Sequence, residues 1–261
     1  MIPARTNPVI VGAARGLTGS AQAISTCLGG LALQAAALYL WWPKGGVPQA
    51  LIAEEGPVTL LAVCITLGAT FAYLSLRAGV EEFLLPGQRP LGEWLAGSTL
   101  GIGAVLGGYL AGHLLHTVLV LGLSTPLLLA AFAVAGGAWA VLLWSIVIVA
   151  AHGAFYRLAG ACVRLAIVSR DQDAVVATRV LIVGMYVVTA VLAPSASHPL
   201  VTFGLFAARP GPEGDLDPFR LGSADGLPPH VEFVLLYALG SGLLVVALAV
   251  LAARARRRTS L

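Results

Sequence analysis

Three histidines, His113, His116 and His152, fall within sixty-three consecutive residues, 94–156, that contain no Asp, Glu, Lys or Arg. An ionisable side chain in so apolar a setting is a functional candidate by default. His113 and His152 would sit at similar depth if their segments were neighbouring antiparallel helices, which is the geometry that bis-imidazole haem ligation needs. His113 and His116 share one helix and could not clamp a macrocycle between them. The plainer alternative is a set of neutral imidazoles that hydrogen-bond to neighbouring helices or line a polar cavity. The pattern favours that alternative, so no cofactor and no metal are expected.

Other chemistry is missing from the sequence. A phosphate-binding P-loop needs Gly-Lys-Ser/Thr, and the sole lysine, Lys44, is followed by Gly45. Gly101, Gly103 and Gly107 miss the dinucleotide-binding spacing and follow no strand. No nucleophile–base–acid set is visible. Cys27, Cys64 and Cys162 lie in or beside apolar segments without metal-ligand spacing and read as small buried thiols. The chain is therefore not expected to be an enzyme.

The elements that must hold these residues follow from the charge distribution. Charged residues make up 10% of the chain and hydrophobic ones 58%, against about 25% charged in soluble domains. Further uncharged runs cover 16–43, 56–76, 180–208 and 233–253. About 20 apolar residues cross a bilayer, so the long run counts twice. The expectation is an all-α, polytopic membrane protein, a single transmembrane domain over 1–261 with six spans. These are about 21–42, 56–77, 101–135, 138–164, 176–195 and 231–253. The first is too long for a signal-peptide core and is read as a retained span.

A helix over 102–135 would be about 51 Å long, so a break near Pro126 and a turn at Gly136-Gly137 are expected. A short interfacial helix fits 7–18, and an outer re-entrant or interfacial helix fits 198–208, ahead of the last span. With the N-terminus inside, the inner segments hold twelve arginines and the outer ones only Lys44, Arg209 and Arg220. That asymmetry places both termini in the cytoplasm. The basic tail then reads as an anionic-lipid contact, not a nucleic-acid patch.

The inner loop 78–99 concentrates Glu81, Glu82, Arg89 and Glu93, and a short amphipathic helix fits Leu91 to Ser98, with Trp94 on its apolar side. Beyond it, Gly97 and Gly101, Gly103 and Gly107, and Gly108 and Gly112 form three small-x-x-x-small pairs, which predict close helix packing. Arg157 and Arg164 lie at the inner end of the fourth span. They would snorkel to headgroups or pair with Glu81, Glu82 or Glu93.

Taken in order, several stretches resemble the membrane subunit of an ABC transporter of the type-2, export-type permease family. Asn7-Pro8-Val9-Ile10 is similar to the family's Asn-Pro-hydrophobic opening. Leu91-Gly92-Glu93-Trp94-Leu95, followed by Gly107-Gly108-Tyr109-Leu110-Ala111, is similar to its inner coupling segment and third span. Leu123-Ser124-Thr125-Pro126-Leu127, Ala161 to Arg170 and the basic end Ala252 to Arg258 complete the likeness. The sequence departs from the family at Gly12-Ala13-Ala14-Arg15-Gly16, which is nearly uncharged, and at Gly108, where a basic residue is common.

The resemblance implies a non-catalytic permease subunit beside a second permease chain, homo- or heterodimeric, with separate ATP-binding subunits on the cytoplasmic side. It also implies that Glu81, Glu82, Arg89, Glu93 and Trp94 meet the ATPase, in a short inner coupling helix. Arginine outnumbers lysine fourteen to one, which suggests a GC-rich bacterial genome and a plasma-membrane location. The alternative is a haem-binding or purely structural membrane-anchor subunit of a larger complex.

Overall fold

The computed structural model describes residues 7–19, 21–44, 56–81, 99–135, 139–166 and 229–258, with the single positions 176, 177, 180 and 184. The described residues form six helices: α1 (Pro8–Gly19), α2 (Ala21–Leu40), α3 (Gly56–Glu81), α4 (Ile102–Ala135), α5 (Trp139–Ala166) and α6 (Pro229–Arg258). Among them, α3, α4, α5 and α6 are long and apolar enough to cross a membrane, the mark of a multi-pass membrane protein. The apolar part of α2, Ile24–Leu40, is shorter.

Local chemistry sets the helix ends. Asn7 caps α1: its Oδ1 accepts from the Val9 N–H at 3.0 Å, and Pro8 occupies the first helical position, where a missing N–H costs nothing. Pro57 and Pro229 open α3 and α6 in the same way: Pro57 follows the first residue of its helix and Pro229 is the first of its own. α2 closes with the Trp41 N–H donating to the Ala37 carbonyl at 3.1 Å, and Pro43 prevents continuation.

α4 continues across Pro126, so the break expected there does not divide it into two helices. Membrane helices tolerate an internal proline because neighbouring groups re-satisfy the freed backbone. The carbonyl deprived of its helical donor by Pro126 is that of Gly122, four residues back; the adjacent Thr125 Oγ1 donates to the neighbouring Leu121 carbonyl at 2.7 Å.

α3 is the central staff. It packs most extensively on α5 and also on α4 and α2, while α6 packs chiefly on α5, and α1 on α4. α2 runs antiparallel to α3: Thr26 meets Arg77, Gly30 meets Thr70, and the Trp41 carbonyl accepts from Thr59 Oγ1. α3 and α5 run parallel, with Phe71 against Gly153 and Leu76 against Gly160. α5 and α6 are also parallel, since Trp144 meets His230, Phe155 meets Gly240 and Cys162 Sγ donates to the Leu244 carbonyl at 3.3 Å.

One end of the bundle therefore gathers Asn7, Arg77, Ala104 and Arg164. The other gathers Trp41, Trp139 and Trp144. Tyr39, Trp41, Trp42 and Trp139 are exposed there, as side chains of a membrane interface would be.

Candidate functional site

The tightest seam in the molecule lies between α3 and α5, where three glycines remove the side chains that would hold the backbones apart. A Cβ at Gly79 would collide with the Arg157 carbonyl oxygen, and one at Gly160 would lie 2.6 Å from the Leu76 carbonyl oxygen. At Gly153 the missing side chain is replaced by the ring of Phe71, which is fully buried. This close approach brings a charged residue into the bundle: Arg157 is 2% exposed and faces inward. Its Nη1 lies 3.3 Å from Nδ1 of His116 on α4. A guanidinium only donates, so Nδ1 must accept, and the His116 ring is neutral with its proton on Nε2.

Phe71 floors this polar site. Its ring meets His116 edge-on at a centroid distance of 5.4 Å and His113 at 6.1 Å. One turn along α4, Thr117 Oγ1 donates to the His113 carbonyl at 2.9 Å and lies 3.3 Å from its Nε2. His113, His116, Thr117 and Arg157 are all buried. α4 thus turns His113, His116, Thr117, Val120 and Ser124 toward its neighbours. The arrangement gathers two imidazoles, a hydroxyl and one guanidinium in the bundle interior.

His152 has a different setting. Tyr156, Tyr237 and Phe233 surround its ring edge-to-face at 4.8, 5.1 and 6.0 Å. These neighbours do not fit a haem held between His113 and His152. Phe71 fills the notch beside His152, and the aromatic side chains occupy the approaches to its ring. Among the described residues no three His, Cys, Asp or Glu side chains converge as a metal set.

The expected helix-packing glycines divide. Among the described residues nothing lies within 4 Å of a Cβ placed on Gly101, Gly103 or Gly107, so these three bring none of the described helices together. Gly108 does: a Cβ there would lie 2.6 Å from Cβ of Val9 and 3.2 Å from Nδ2 of Asn7. Asn7 Nδ2 also donates to the Ala104 carbonyl at 2.8 Å, so the Asn-Pro opening fastens α1 to the head of α4. Gly112 is buried on α4.

Gly97, Glu82, Arg89, Glu93 and Trp94 lie outside the described residues, as do most of the expected fifth span and the whole outer segment. Glu81 closes α3, and its side chain is likewise outside them. Arg157 corrects the snorkelling expectation, because its side chain turns toward His116 and not outward to headgroups. Sequence reasoning missed Phe71 and the Gly79–Gly153–Gly160 seam. The seven-residue spacing of Gly153 and Gly160 on one face of α5 was the available signal.

No family model, no curated protein and no solved structure matches the chain.

Proposed function

We propose that the chain is a non-catalytic transmembrane subunit of an ABC transporter, working with a second permease chain and with ATP-binding subunits on the cytoplasmic side of a bacterial plasma membrane. The observation that carries this reading is the grouping of elements at the arginine-rich end. There α3 closes with Glu81, α4 begins at Ile102, and Asn7 ties the short helix α1 to the head of α4. The charged segment 82–98 joins those two helix ends and is where the resemblance puts the coupling helix. A load applied to that segment acts on both α3, the central staff, and α4.

Six crossings with both termini inside are part of the proposal. The parallel course of α5 and α6 supports them: chain leaving α5 at the arginine-rich end must return from the aromatic end to enter α6, which calls for one more crossing between.

Reversal of Glu81, Glu82 and Glu93 to Lys together tests the coupling role. Each exposed pair contributes only about 0.2–1 kcal/mol, so single changes do little, whereas the triple change turns attraction into repulsion. The expected outcome is loss of the co-purifying ATPase, or hydrolysis that no longer responds to transport in reconstituted vesicles. A triple variant that inserts and keeps full ATPase binding and coupling overturns the reading. Co-purification of large hydrophobic partners with no P-loop protein would favour the structural-anchor alternative.

A further inference from the structure

α4 and α5 touch each other much less than each touches α3. The contact between His116 Nδ1 and Arg157 Nη1 is therefore a direct polar tie between two helices that otherwise meet mainly through a third. It has a property that an ordinary hydrogen bond lacks. The donor is permanently charged, so the tie exists only while the imidazole is neutral and its Nδ1 lone pair is available. A proton that binds Nδ1 removes the acceptor and sets two positive charges about 3 Å apart in an apolar interior, where little solvent screens them.

We propose that His116 and Arg157 form a proton-sensitive lock between α4 and α5: closed while His116 is neutral, and parted when it takes up a proton. The proposal is independent of the transporter reading, since it needs only the folded bundle.

Among the described residues few groups act on the ring, and α2 and α6, which also pack on α4, set no charge against it. Arg157 faces it from α5, and His113 lies beside it on its own helix. α3 meets it with the Phe71 ring, which carries no charge. α1 packs on α4 near Ala104 and Gly108 through Asn7 and Val9. Among the described residues no acidic group acts on His116 to stabilise an imidazolium there. Protonation is therefore favoured only when the two helices part. Protonation of the ring and parting of the helices favour each other, so lowering the pH raises the weight of the parted form. The closed form dominates at neutral and alkaline pH and is lost as pH falls.

The test is a distance across the lock in the purified full chain. Val118 on α4 and Leu143 on α5 are both more than half exposed and accept spin labels as cysteines, in a background with Cys27, Cys64 and Cys162 replaced by alanine. Pulsed electron paramagnetic resonance should find one distance at about pH 8 and a growing longer-distance population at about pH 4.5. His116→Gln should hold the shorter distance at both, because the amide oxygen accepts from Arg157 and does not titrate. His113→Gln should keep the shift.

A wild-type distance that does not respond to pH, or a shift that survives His116→Gln, overturns the proposal. If His116→Gln fails to insert, Arg157→Gln replaces it. A protonated His116 then faces a neutral amide, and the acid-induced distance should be lost. Its persistence overturns the lock.

Discussion

α3 and α6 are both apolar helices of membrane-crossing length, yet they occupy opposite environments. In the apolar stretch of α3, 56% of residues are buried, against 11% for α6. α6 is the more apolar of the two, and it presents Leu235, Leu236, Leu239, Leu243 and Val246 outward. α3 buries Thr59 and Ser75 along with Phe71 and Leu67. In lipid, unlike water, apolar surface gains nothing by being hidden. Helices associate there through close packing and hydrogen bonds, so the helix with small and polar residues takes the centre.

That contrast is open to direct attack. The largest effect should come from Gly79→Leu, whose new side chain meets a backbone carbonyl that cannot step aside. It should cost about 3 kcal/mol or more, seen as loss of monodisperse protein in detergent. At Gly242 on α6 a Cβ meets no described residue within 4 Å, and Gly242→Leu should stay within about 0.5 kcal/mol. Equal losses at the two glycines would erase the distinction.

An intermediate effect is expected for Phe71→Ala. A buried Phe→Ala in a soluble core costs about 3–5 kcal/mol, but lipid replaces water as the reference here, so only the packing part remains, about 1–3 kcal/mol. Leu239→Ala, at an exposed position, should leave the thermal midpoint almost unchanged. A drop at Leu239 as large as at Phe71 would mean that the outer face of α6 is covered.

The smallest effect belongs to the rim. Asn7→Ala removes a helix cap and the tie to Ala104, at about 1 kcal/mol. Faster amide hydrogen exchange in α1 with unchanged exchange in α3 would confirm that the two regions are held separately.

Much of the helix inventory is legible in the residues. Expected segments at 7–18, 56–77, 138–164 and 231–253 correspond to α1, α3, α5 and α6, because charge-free length marks what lipid can contain. The partners of each helix are not legible. The glycine pairs around Gly103 and Gly107 have the right spacing, but spacing on one helix does not say which face meets a neighbour. The seam instead uses Gly79, Gly153 and Gly160, which lie on two helices and align only when those run parallel. Arg157 sits near the end of its span, where a long side chain reaches headgroups from an outward face. Its rotation about the α5 axis decides otherwise, and that rotation is set by Phe71 filling the space at Gly153. The continuation of α4 across Pro126 shows that a proline break read from residue type does not carry over to a membrane helix.

The bond from Asn7 to Ala104 spans 97 positions of sequence, and this separation orders the protein's biogenesis. When Asn7 leaves the ribosome its acceptor has not been made, and at about 5–20 residues per second it will not be for several seconds. During that interval α2 and α3 can enter the membrane and join through Arg77 and Thr26, which lie closer in sequence. α1 therefore waits beside α2 without its tie to α4 until the head of α4 emerges. Its docking records that the third long segment has arrived in register, so a nascent chain truncated before Ala104 should leave α1 open to proteases even when α2 and α3 are already inserted.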